Sequence, residues 1–267
     1  MGYVYVSGGA SNTPRGGVSP PLPNNSPTSA FNSSSATIQF VGISTGNSVT
    51  TADFSDTAAN TWTQARTKDD QIASTLFYVQ NPSTNSSEVV TCSIIQAGVC
   101  SFCFSGGTNA LITSNDNTGG ASNVTTLAAG SAAITPTAAN QILIATMALD
   151  AAHDVDRSAF SVSSPWVMPV EATCQAILAQ PQGRPNAGGM LAYYINPPQS
   201  SISPPTFSWS GAGNAATGIF ALFGATAGIP EIATRNGVAV YPSPVVAAFN
   251  GIPLTSTNTL NGFRPNA

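Results

Sequence analysis

The chain has 267 residues, of which 42% are hydrophobic and only 7% are Asp, Glu, Lys or Arg, against about 25% charged residues in an ordinary soluble domain. Seven basic and eleven acidic residues leave a net charge of -4, which argues against a nucleic-acid partner, because phosphate binding needs clustered Lys and Arg. The apolar content is too high for a chain that stays unfolded throughout, and no run approaches the ~20 apolar residues that span a bilayer. Polarity therefore comes mainly from Ser, Thr, Asn, Gly and Pro. Lys68 is the single lysine.

The chain opens with "MGYVYVSGGASNTPRGG", which lacks the basic and then apolar regions of a secretory signal, so synthesis in a cytoplasm is expected. Residues 1–35 include "NTPRGGVSPPLPNNSPTSAFNSSS". Prolines in such density oppose a helix and a central strand alike, which predicts an extended N-terminal arm. From residue 36 to 227, short apolar stretches alternate with turn clusters. The predicted strands in order are "ATIQFVGIS", "TWTQAR", "IASTLFYVQ", "EVVTCSII", "VCSFCFS", "QILIATMAL", "FSVSS", "TCQAILAQ", "GGMLAYYIN", "TFSWS" and "GIFALFGA". In "TFSWS" the residues Phe207 and Trp209 share one face while Thr206, Ser208 and Ser210 share the other. About eleven short strands without a long amphipathic helix predict an all-β, single antiparallel β-sandwich. Residues 228–267 carry scattered apolar groups broken by prolines and predict a second extended arm.

The segment "VCSFCFS" holds a C-x-x-C. Side chains alternate along a strand, so Cys100 with Phe102 and Phe104 faces one way, and Val99, Ser101 and Cys103 face the other. Two cysteines on opposite faces share neither a zinc nor a disulfide. The reading is buried small hydrophobes, with a disulfide to Cys92 or Cys174, or a metal site, as the alternatives.

The most polar cluster is "LDAAHDVDRS". Asp150, His153, Asp154 and Asp156 form a weak cation candidate, set against a solvated loop partly neutralised by Arg157. With one histidine and no G-x-S-x-G, a serine triad has no support, and no pair of carboxylates stands out for sugar hydrolysis. The expectation is no enzyme and no cofactor. Aromatic side chains offer flat faces for a glycan, with Trp166, Tyr193 and Tyr194 as candidates, while Trp62 and Trp209 read as core anchors. Tyr193 and Tyr194 must point to opposite faces of their strand.

The order "FSDTAANTWTQ", "STLFYVQNPS", "EVVTCSII", "CFSGG", "ITPTAANQILIATMAL" and "TFSWSGAGNAATGIFALF" resembles a jelly-roll-like β-sandwich module of tailed-phage virion proteins and some bacterial surface proteins, over roughly residues 36–225. The resemblance implies a virion location and a capsid decoration or cement protein. A tail or fibre protein that binds a host-surface glycan is the alternative. Its partners would be other virion proteins, such as the major capsid protein or tail proteins, and further copies of itself, with a trimer expected by analogy. The assembly contacts would then come from the arms, through Pro14, Pro20, Pro21, Leu22, Pro23, Tyr241, Pro242, Phe249 and Phe263. Proline-rich segments lose little entropy on docking because their unfolded state is already restricted.

Overall fold

A computed structural model describes residues 2–11, 26–46, 48–94, 97–107, 110–119, 124–151, 159–174, 178–179, 184–185 and 187–224, and short pieces of the C-terminal part. The chain divides at Thr226 and Ala227 into two compact units. In the first unit the strands are β1 (Val4–Ala10), β2 (Ser26–Pro27), β3 (Ile38–Thr45), β4 (Phe54–Asp56), β5 (Thr63–Lys68), β6 (Ala73–Gln80), β7 (Val90–Cys92) and β8 (Gly98–Ser105). They are followed by β9 (Leu111–Gly119), β10 (Val124–Ala128), β11 (Gln141–Ala151), β12 (Ser161–Val162), β13 (Thr173–Cys174), β14 (Leu178–Ala179), β15 (Arg184–Pro185), β16 (Ala187–Ile195) and β17 (Thr206–Gly224). In the second unit, β18 (Ala233–Arg235) pairs with β19 (Val238–Val240), and β20 (Ala248–Phe249) with β21 (Ile252–Pro253).

Two antiparallel sheets carry the first unit. One has the order β1-β8-β3-β6-β5, and the other the order β10-β17-β11-β16-β13, with β9 and β12 also paired to β17. The chain completes the first sheet before it begins the second. The expected all-β antiparallel sandwich is what is observed.

Strand alternation sends one set of side chains between the sheets. Ile38, Phe40, Leu76, Tyr78, Cys100, Phe102 and Phe104 come from the first sheet, and Ile142, Ile144, Leu191, Tyr193, Ile219 and Phe223 from the second. Their aromatic rings meet edge to face: Phe40 and Phe223 have centroids 4.7 Å apart, and Phe104 and Tyr193 5.0 Å. That geometry places ring edges against the electron-rich faces of their neighbours. Burying each large apolar side chain contributes about 1.5–3 kcal/mol.

The alternate residues do not face water. On the outside of the first sheet, Val41, Ile43, Phe77, Val79, Val99 and Cys103 are covered by Phe31, Val49, Phe54, Trp62, Val90 and Cys92, many of them on or beside the small sheet β2-β7-β4. On the outside of the second sheet, Leu143, Met147, Met190, Phe220 and Leu222 are covered by Leu127, Ile134, Phe160, Trp166, Phe207 and Trp209. The sandwich is thus four layers deep, with two sheets and a cover on each far face. This explains why β3 is buried along its whole length, and why "ATIQFVGIS" and "VCSFCFS" show little polar alternation: a strand buried on both faces reads as a nearly continuous apolar run.

Several expectations are corrected. Residues 1–35 are not an arm throughout, because β1 is paired along its length with β8, Tyr3 is 2% exposed and Phe31 5%. The stretch "VYVSGGA" contains no proline, so nothing prevents it from pairing. Pro27 does lie in a strand, but at the edge of the small sheet, where its missing N–H breaks no ladder. "TFSWS" and "GIFALFGA" are not separate strands but the two ends of the 19-residue β17. Its first part pairs with β10 and β12, and its second with β11 and β9, all within the second sheet. "EVVTCSII" shrinks to the three residues of β7. The polar "LITSNDNTG" is strand β9, which sequence reading passed over.

Candidate functional site

The residues expected to act together are dispersed. Trp166 is 7% exposed, packed among Tyr194 and Phe220 on the outer side of the second sheet. Tyr193 is 8% exposed on the opposite, inner side. Tyr193 and Tyr194 do point to opposite faces, but the glycan platform is corrected: rings more than nine-tenths buried offer no open face for a sugar, and only Tyr194 is partly exposed. Trp62 and Trp209, at 8% and 4%, are core residues.

Asp150 is half-buried near the end of β11, where burial raises its carboxyl above the usual carboxylate range. Its Oδ1 has no hydrogen-bond partner. His153, Asp154 and Asp156 lie outside the described residues, as do Pro14, Pro20, Pro21, Leu22, Pro23, Tyr241, Pro242 and Phe263. Phe249 is placed only as part of β20. Among the described residues no three His, Cys, Asp or Glu side chains converge as metal ligands, and no helix is long and apolar enough to cross a membrane.

The C-x-x-C is divided as strand alternation requires. Cys100 lies between the sheets and Cys103 on the outer face. Cys103 Sγ meets Ser7 O at 3.5 Å, and burial pushes its thiol up to about 11.

The side chains that do converge near the surface are Tyr5, Glu171 and Tyr193, where an edge of each sheet meets. β1 ends the first sheet, and residues 167–174 run along β16 at the end of the second, through the Val167–Tyr193 bridge and β13. The Tyr5 hydroxyl donates to Glu171 Oε1 at 2.7 Å, and its ring stacks on Tyr193 with centroids 5.4 Å apart and planes 13° off parallel. Burial and then the bond to Glu171 push the Tyr5 hydroxyl well above the ordinary tyrosine range, so it stays a donor. The exposed large hydrophobic residues among the described ones, Val4 at 59%, Val167 at 47% and Val170 at 59%, lie on the same two segments, with Val4 on the face of β1 opposite Tyr5. Val4 precedes Tyr5, Val170 precedes Glu171, and Val167 pairs with Tyr193.

A partly exposed Tyr5 ring backed by the buried Tyr193, a surface carboxylate and exposed valines on two strand edges can hydrogen-bond and bury apolar area. Interfaces combine aromatic side chains, polar rim groups and small apolar contacts in this way. Sequence reading missed the site because its parts are 166 positions apart. The one available signal was the alternation in "GYVYV", which puts Tyr3 and Tyr5 on one face and Val4 and Val6 on the other.

No protein-family model matches the chain, and neither does any curated protein or solved structure.

Proposed function

We propose that the chain is a non-enzymatic virion structural protein, a capsid decoration or cement protein that holds neighbouring subunits through its C-terminal segment and through the Tyr5, Glu171 and Tyr193 edge. The observation that carries this reading is that the exposed large hydrophobics among the described residues, Val4, Val167 and Val170, lie on the two segments that the Tyr5–Glu171 hydrogen bond joins. Low charge supports it as well, since a neutral hydrogen-bonding surface packs against neighbours with little desolvation cost.

Limited proteolysis with a broad-specificity protease tests the reading. The isolated full-length protein and the same protein in its native particle are digested side by side, and fragments are located by mass spectrometry. Cleavage within residues 227–267 that is fast in isolation and suppressed in the particle is the expected outcome. Equal cleavage in both states, or absence of the chain from purified particles, would overturn it. The variant Val170→Asp places a charge at the proposed contact and is expected to lower particle occupancy while leaving the melting temperature of the isolated protein nearly unchanged.

A further inference from the structure

Two sulfurs from different sheets meet in the core. Cys100 lies on β8 and Cys174 on β13, each 1% exposed. The Cys100 thiol donates to Cys174 Sγ across 3.5 Å, and the Cys174 thiol donates to Gly189 O at 3.5 Å. Glycine makes the space they occupy. A Cβ on Gly98 would stand 2.7 Å from Cys174 Sγ, and one on Gly189 would stand 3.0 Å from Cys174 Sγ and 3.3 Å from Cys100 Sγ. The backbones of the two sheets therefore approach more closely here than a side chain at either position would allow. Cys103 shares none of this, because its sulfur faces Ser7 and Asn32 O on the other side of the sheet.

A disulfide has an S–S separation of about 2.0 Å, so closure requires the two sulfurs to approach by roughly 1.5 Å. Shared between two side chains, that movement is small. We propose that Cys100 and Cys174 are an oxidisable pair that closes to an inter-sheet disulfide by exchange with a low-molecular-weight disulfide. The proposal is independent of the virion reading.

Cys174 is the sulfur reached first, because β13 is a two-residue strand at the edge of its sheet, and short edges open locally at lower cost than central strands. Its thiolate attacks one sulfur of the reagent, forming a Cys174–reagent mixed disulfide as the reagent's S–S bond breaks and one reagent thiolate leaves. The Cys100 thiolate then attacks the Cys174 sulfur, forms the protein disulfide and expels the second reagent thiolate. Two electrons pass from the protein to the reagent, and the two cysteine protons end on its two thiols. The new bond closes a loop spanning 74 positions. Restricting the unfolded chain over such a loop is expected to raise the melting temperature by at least about 5 °C.

The test uses the full-length protein with oxidised glutathione as the probe, applied both to the native protein and during refolding from denaturant, beside a dithiothreitol control. Cleavage after Arg157 places Cys100 and Cys174 on different fragments. The expected result is a joined pair of fragments that reductant separates, with tandem mass spectrometry placing the link at Cys100 and Cys174, and a higher melting temperature for the oxidised form. No joined pair under either regime would overturn the proposal. A link from Cys174 to Cys92 or Cys103 instead would overturn it equally.

Discussion

Gln39 Nε2 donates to Glu88 Oε1 at 2.8 Å, and neither side chain reaches solvent. Gln39 also donates to Ser101 Oγ at 3.2 Å, so the outer face of the first sheet contains a buried polar network. Glu88 Oε2 and Gln39 Oε1 have no partner. Burial is the largest influence on Glu88 and raises its carboxyl above 4.5, against the opposing hydrogen bonds from Ser33 and Gln39. A carboxyl raised on folding contributes stability that is complete below its unfolded value and is lost as pH rises through its folded value. Glu88→Gln keeps the acceptor for Gln39 and removes the charge. It is expected to raise the melting temperature at pH 8 and to flatten the decline in stability above pH ~4.5, as measured by calorimetry across pH. Glu88→Ala leaves Gln39 Nε2 without this acceptor and is expected to cost about 1–3 kcal/mol.

Cys103 is held as a thiol. With its value pushed up to about 11 by burial, the thiolate fraction at pH 8 is on the order of one in a thousand. Native protein exposed to iodoacetamide at pH 8 is expected to leave Cys103 unmodified over a time in which glutathione reacts fully. In denaturant the same residue should alkylate completely, and mass spectrometry reads both states. Modification in the native state would show that β1 separates from β8, since Ser7 of β1 covers the sulfur.

Close backbone approach sets the cost of two glycine substitutions. A Cβ at Gly218 would lie 2.7 Å from Ala129 Cα and 2.8 Å from Ala129 O, which are backbone atoms that cannot rotate away. A Cβ at Gly42 would meet Thr146 Oγ1 at 2.6 Å and Leu191 Cδ2 at 2.9 Å, both on side chains. Each change should destabilise by about 1–3 kcal/mol through overpacking. Gly218→Ala should be the worse of the two, because only its neighbour requires the backbone to shift. Urea unfolding of both variants measures the difference.

An ionic contact joins one edge of the first sheet to an edge of the second. Arg66 of β5 pairs with Asp116 of β9, and Lys68 Nζ lies 3.7 Å from the same carboxylate. The cations are about a third exposed, so solvent screening keeps the contribution small. Asp116→Asn is expected to cost no more than about 1 kcal/mol in low salt and less in 1 M salt. Thermal unfolding at the two salt concentrations checks this.

Strand alternation alone was enough to separate Cys100 from Cys103, to set Tyr193 against Tyr194, and to mark Phe207 with Trp209 as a buried face, because a period of two is a local property of extended backbone. The succession of short apolar strand patterns without a long amphipathic helix was likewise enough for the all-β class. The rest depended on which strands lie side by side. The polar β9 carries no strand pattern that sequence reading picked out, and its place was decided by β17, which supplies its ladder, and by Arg66, which pairs with Asp116. β1 was hidden beside a proline-rich stretch and was decided by β8. The covers that bury both outer faces, the meeting of Cys100 with Cys174, and the joining of Tyr5 to Glu171 all bring together residues distant in the chain. Such contacts are selected by the shape and free area of already formed sheets, which no local pattern encodes.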